Sequence, residues 1–132
     1  MDRPGGEGPS CARCVAVVRE AAGGFPDTRK GSNSRYPVPD AVMSAYAVFF
    51  LQSPSWLACQ RAMQEEKGAS NALTLFGVAK VPTDNQVRRL LDPAGPELLH
   101  GAFRGLLELL EGSGALERYR VLDGRTLVAL DG

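Results

Sequence analysis

No apolar run in this 132-residue chain is long enough to cross a membrane, and its fifteen basic and fifteen acidic residues cancel. No field of one sign therefore draws the whole molecule to nucleic acid or lipid, and any such contact has to come from a local patch. The first ten residues lack the charged start and apolar centre of a signal peptide, so a cytoplasmic location is expected. Histidine occurs once, at position 100, and cysteine three times, an odd count with no second pair at metal-ligand spacing. Cys11-Ala-Arg-Cys14 has the shape of half a zinc site or of a redox dithiol; incidental reduced thiols are the plainer reading. The remaining soft ligands, Cys59 and His100, fall on separate predicted helices. Cys59 lies among Trp56, Leu57 and Met63 and reads as a small core residue. A glycine-rich phosphate loop, a Ser-His-Asp order and a close carboxylate pair are all missing, which removes the commonest nucleotide-binding and hydrolytic designs.

What is present is helical periodicity. Apolar residues make up 44% of the chain, enough for one domain with a modest core. Residues 1–37 read as a flexible tail with a basic approach segment, in which only Cys14 to Ala22 suits a short helix. From Asp40, read as an N-cap, the run Val42, Met43, Ala45, Tyr46, Val48, Phe49 and Phe50 leaves almost no polar face and predicts a buried helix. Ser53 and Pro54 suit the cap and first position of a second helix reaching about Glu66. A short helix over Asn71 to Phe76 stops at Gly77, a residue suited to a left-handed cap. Thr83-Asp-Asn-Gln86 fits a reciprocal capping box and opens a helix that Asp92-Pro93 breaks. Pro96 to Glu111 carries Leu98, Leu99, Ala102, Phe103, Leu106, Leu107 and Leu110 on one broad face, either core or a dimer surface.

Two short apolar runs, Tyr119 to Leu122 and Thr126 to Leu130, flank Asp123-Gly124 and read as a β-hairpin with a two-residue turn. Leu127-Val-Ala-Leu130 is apolar on both faces, the pattern of a covered central strand. Asp131, at its tip, is either a turn residue or a carboxylate of the kind that metal-dependent phosphoryl chemistry places there. The expected architecture is mainly α, a compact five-helix array over residues 38–114, with a C-terminal β-hairpin over 115–132.

Candidate phosphate contacts are local. Phe25-Pro-Asp-Thr-Arg-Lys-Gly-Ser-Asn-Ser-Arg-Tyr-Pro37 holds Arg29, Lys30 and Arg35 against one acid, Asp27, on a backbone suited to a sugar-phosphate chain or to a plain solvated linker. Arg88 and Arg89 project away from the apolar side of the capped helix. A short capped helix with exposed arginines is like part of a helix-turn-helix reader, and equally like a member of an ordinary bundle.

The order of blocks resembles a known family. Phe25-Pro-Asp-Thr-Arg-Lys30, Pro39-Asp-Ala-Val-Met-Ser-Ala-Tyr-Ala-Val-Phe-Phe50, Ser53-Pro-Ser-Trp-Leu57, Asn71-Ala-Leu-Thr-Leu-Phe-Gly77, Val81-Pro-Thr-Asp-Asn-Gln-Val-Arg-Arg-Leu-Leu-Asp-Pro93, Val121-Leu-Asp-Gly and Leu127-Val-Ala-Leu-Asp-Gly132 look like the N-terminal part of bacterial insertion-sequence transposases with an Asp-Asp-Glu site. The resemblance covers about residues 25–132. It implies a helical N-terminal region, ancestrally for DNA binding and subunit assembly, leading into a ribonuclease-H-like catalytic domain. The hairpin would be the truncated start of that domain's sheet, and Asp131 its first catalytic acid and a Mg²⁺ ligand. The second Asp, the Glu and most of the sheet would lie beyond residue 132, so the resemblance implies a fragment that is catalytically incomplete by itself. Two-metal phosphoryl transfer needs several carboxylates around two ions about 4 Å apart, and one aspartate does not supply them. The partners implied are DNA, bound weakly, and a second copy in a homo-oligomer. A small helical protein-interaction module without a DNA role, using the Leu98 to Leu110 face, is the competing reading.

Overall fold

The computed structural model describes residues 9–29, 35–64 and 75–131. Among them the chain is mainly helical, with a small two-stranded antiparallel hairpin at its C-terminal end. We number the helices α1 (Cys11–Ala22), α2 (Val38–Phe50), α3 (Trp56–Gln64), α4 (Asp84–Leu91) and α5 (His100–Gly112), the last preceded by a 3₁₀ turn over Pro96–Leu99. No helix among the described residues is long and apolar enough to cross a membrane.

The centre of the molecule is α2. Its sequence has few polar positions, and it is packed by α1 and α4, and less extensively by α3, leaving Phe49 and Phe50 exposed at its C-terminal end. Val38, Ala41, Val42, Met43 and Ala47 are buried. Ser44 is buried as well, and its hydroxyl donates to the Asp40 carbonyl at 2.7 Å, which satisfies the group without a partner from another element. The helix starts at Val38 with Pro37 as its N-cap, so Asp40 lies in the first turn and is not the cap. It ends in a Schellman arrangement: Gln52, at φ 51°, donates to Phe49 and Ser53 donates to Val48. Because Ser53 is engaged in closing α2, the capping of α3 moves two residues on, where Ser55 Oγ accepts from the Ala58 N–H at 3.1 Å.

The helix α1 begins on Ser10, whose hydroxyl accepts from the Arg13 N–H, and buries Val15, Val18 and Ala22 against α2 and α5. Its close approach to α5 depends on Gly105, where a Cβ would lie 2.7 Å from a Val17 methyl. From the far end of α1, the Arg19 guanidinium donates to the carbonyls of Phe76 and Gly77 at 2.7 and 2.8 Å. Gly77 takes the expected left-handed conformation, φ 67°, and a Cβ there would meet Arg19 Nη2 at 2.8 Å. The helix expected over Asn71 to Phe76 and the polar run closing α3 lie largely outside the described residues. Phe76 itself is fully buried and makes an aromatic cluster with Tyr46 and Phe50, with centroids 5.6 to 6.2 Å apart. Burying side chains of this size contributes about 1.5–3 kcal/mol each, so the cluster is a main tie between α2 and the 75–78 segment.

The capping box of α4 forms as its sequence requires. Thr83 N–H donates to Gln86 Oε1 at 2.8 Å, and Gln86 N–H donates back to Thr83 Oγ1 at 3.4 Å. Val87 is buried and Leu90 and Leu91 are half-buried.

The C-terminal segment differs from its expectation in two ways. The strands are two residues each, Arg120–Val121 and Arg125–Thr126, and the loop between them is Leu122-Asp123-Gly124, all three at positive φ. The Asp123-Gly124 turn is thus one residue longer than the sequence suggested, since Leu122 turns out of the strand. Leu127 to Leu130 do not form a strand and are not covered; Leu130 is 92% exposed. Alternation and apolarity specify a strand only where a neighbour accepts its hydrogen bonds, and no described segment lies beside this run.

Candidate nucleic-acid interface

The basic residues singled out from the sequence lie on separate elements and differ in how free their charge is. Arg29 is committed locally. Its Nε and Nη2 donate to the two carboxylate oxygens of Asp27 at 2.8 and 2.6 Å, and its backbone N–H adds a third bond at 3.1 Å. Those bonds hold the Asp27 carboxyl down at about 2 and push the guanidinium further up. A fork already closed on a carboxylate has little left for a phosphate. Arg88 Nε lies 3.1 Å from Asp84 Oδ1 one turn earlier on α4, with both side chains more than half exposed. Such a surface pair is worth only about 0.3–0.5 kcal/mol, so a phosphate competes with it readily. Arg89 and Arg35 are exposed, on the last turns of α4 and on the bend before α2. Lys30 lies outside the described residues.

The polarity of α4 bears on how it would meet DNA. A helix-turn-helix reader presents the N-terminal residues of its second helix to base edges. Here that end carries Asp84, and the arginines stand in the last turn, where the helix dipole favours cations. The arrangement suits contact with the phosphate backbone and not reading of sequence.

Asp131 is exposed on the unpaired segment after the hairpin, and Asp123 is exposed in the hairpin loop. Among the described residues no group of three or more His, Cys, Asp or Glu side chains is placed to hold a metal ion. Asp131 would be one ligand of the Mg²⁺ pair that the family resemblance implies, in a site completed by other residues. The three cysteines are free; Cys59 is buried in the core, as its neighbours suggested, and burial pushes its thiol up.

Sequence reasoning missed an apolar concavity. Between α1, α2 and α5 runs an open groove of about 620 Å³, walled by Val18, Tyr46, Phe49, Leu91, Phe103 and Leu106; among the described residues lining it, Tyr46 alone has a polar side-chain group. Phe49 and Phe103 are 80% and 64% exposed along it. The signal was present in the two aromatics at the end of α2 and the extra width of the α5 stripe, which exceeds what a single neighbouring helix covers. A second, shallower hollow lies where Trp56 and Gln60 of α3 meet Thr83, Asp84 and Asn85, and there the indole N–H of Trp56 is buried without a hydrogen-bond partner among the described residues.

No protein-family model matches the chain, and neither the curated proteins nor the solved structures contain a significant match to it.

Proposed function

We propose that this chain is the helical N-terminal part of an Asp-Asp-Glu transposase, which binds DNA weakly through its phosphates, assembles subunits, and is catalytically incomplete by itself. The observation that carries the reading is the segment Leu127 to Asp131: an apolar run with an acid at its tip, exposed and unpaired among the described residues. That is the form a sheet strand takes when its neighbours are absent, and it stands where the block order of the sequence resembles the start of a ribonuclease-H-like sheet. Exposed Arg35, Arg88 and Arg89 supply the phosphate contacts, with Lys30 and, after exchange of its Asp27 partner, Arg29. The location that suits this activity is the cytoplasm.

The test has two arms. Incubation with DNA carrying insertion-sequence ends and Mg²⁺ or Mn²⁺ should give no cleavage or joining; cleavage abolished by Asp131→Ala would overturn the catalytic half of the proposal. Binding to duplex DNA should fall steeply with salt and weaken when Arg29, Lys30, Arg35, Arg88 and Arg89 are reversed in charge. Unchanged affinity in that variant would remove the DNA-binding role.

The apolar groove favours a second reading, a helical protein-interaction module with no DNA role. Two measurements separate the readings: absence of salt-dependent DNA binding by the wild-type chain together with loss of self-association in Phe49→Ser with Phe103→Ser supports the module, and salt-dependent DNA binding excludes it.

A further inference from the structure

The three thiols fall into two classes. Cys59 is buried in the core on α3. Cys11 and Cys14 stand one turn apart at the start of α1, both half-buried, and both close enough to Tyr46 of α2 to act on its phenol, which burial first, and then Cys14 and Cys11, hold above its ordinary value. Cys11 and Tyr46 also pack against the same buried core cluster. Neither takes part in the function proposed above.

We infer that Cys11 and Cys14 are a redox-active pair that closes to an intrachain disulfide by exchange with a small disulfide of the glutathione class. One thiol of the pair, after giving its proton to solvent, attacks a sulfur of the small disulfide; that S–S bond breaks and one small thiolate leaves and is protonated. The second thiol, likewise deprotonated, attacks the protein sulfur of the mixed disulfide, the Cys11–Cys14 bond forms, and the other small thiolate leaves. Two protein thiols are oxidised and one small disulfide is reduced to two small thiols.

The geometry says what kind of disulfide this is. Side chains one helical turn apart have Cβ atoms about 5–6 Å from each other, whereas a disulfide needs about 3.5–4.5 Å. Closure must tighten the first turn of α1. Among the bonds that resist it are those of the Arg13 N–H to the Ser10 hydroxyl at 3.3 Å and of the Cys14 N–H to the Ser10 carbonyl at 3.0 Å, which close the helix end. A bond closed against that resistance is readily reduced, as labile and regulatory disulfides are. Its closure shifts the flank against Tyr46, so the α1–α2 contact beside the groove registers the redox state.

The experiment uses the full chain, folded and reduced, equilibrated with oxidised and reduced glutathione, quenched with an alkylating reagent and digested without reduction. Trypsin cuts after Arg13, between the two cysteines, so the expected product is a pair of fragments that stay joined until reductant is added, with Cys59 alkylated only after unfolding. A roughly tenfold excess of reduced glutathione should reopen the bond. In Cys14→Ser the mixed disulfide should persist on Cys11, and in the wild-type chain the Tyr46 ring signals should shift on closure. Stable glutathione adducts on both cysteines, a disulfide that includes Cys59, closure confined to the urea-unfolded chain, or unmoved Tyr46 signals would each overturn the inference.

Discussion

Two stretches of this chain carry almost uninterrupted apolar sequence, and they end in opposite environments. Val38–Phe50 becomes α2 and is covered along most of its length, while Leu127 to Leu130 lies exposed outside any strand. Composition sets a demand for burial in both, but it does not supply the surface that meets it. For α2 the surface comes from α1, α3 and α4. For the terminal run, no described segment provides one. The difference also shows in how polar groups are handled: the helical body ties off its loose ends, through Ser44, Arg19 and the Thr83 box, whereas the hairpin is held by a two-residue ladder and the exposed Arg120–Glu117 pair at 3.2 Å.

The comparison is broken most directly by truncating the two stretches. Met43→Ala in α2 removes a fully buried side chain and should cost about 2–5 kcal/mol in chemical denaturation. A cost near zero would mean that the core can collapse around the gap and that α2 is not its centre.

Next in size is Gly77→Ala, which places a Cβ in a left-handed conformation and against the Arg19 guanidinium. We expect a loss of about 1–3 kcal/mol from the backbone alone, with more as Arg19 is displaced. If Arg19→Met in the Gly77→Ala background costs as much as it does in the wild type, the two residues are not coupled, and a double-mutant cycle reads this directly.

Leu127→Ser with Leu130→Ser should change unfolding free energy by less than about 0.5 kcal/mol, because nothing packs on these side chains. The same pair should reduce self-association in sedimentation or light scattering, since an apolar strand with free backbone groups templates pairing. A large loss of stability would place the run inside a finished core and sink the transposase reading.

The smallest effect belongs to the Asp27–Arg29 pair. Its carboxyl is held below its usual value, so the bond contributes above the unfolded value near 3.8 and is lost as pH falls through about 2. An NMR titration of Asp27 should show that midpoint, and Arg29→Ala should move it upward toward the ordinary carboxylate range, the backbone bond from residue 29 holding it partly down.

Local chemistry was readable and distant chemistry was not. The Thr83–Gln86 box and the left-handed Gly77 are set within a few residues of themselves, and both stand where the sequence placed them. Ser53 was misread because capping of α3 depends on how α2 closes, a competition that residue preferences do not rank. Leu127 to Leu130 was misread because a strand is a relation between segments. The arginines were legible as positions, yet their availability was not: the closed Asp27–Arg29 fork and the looser Asp84–Arg88 pair differ in geometry, not in residue type. Arg19 was invisible for the simplest reason, since its partners lie 57 and 58 positions away.

That separation orders events during folding. Closing a loop of 57 residues costs about 3.6 kcal/mol from its logarithmic term alone, which the two charge-assisted hydrogen bonds of Arg19, at about 1.5–3 kcal/mol each, offset with little surplus. Arg19 therefore recruits the 76–77 carbonyls only weakly by itself. The Tyr46–Phe50–Phe76 cluster has to bring them within reach first, which makes the guanidinium contact a late latch: it adds little to the rate of folding and acts mainly by slowing escape from the native state.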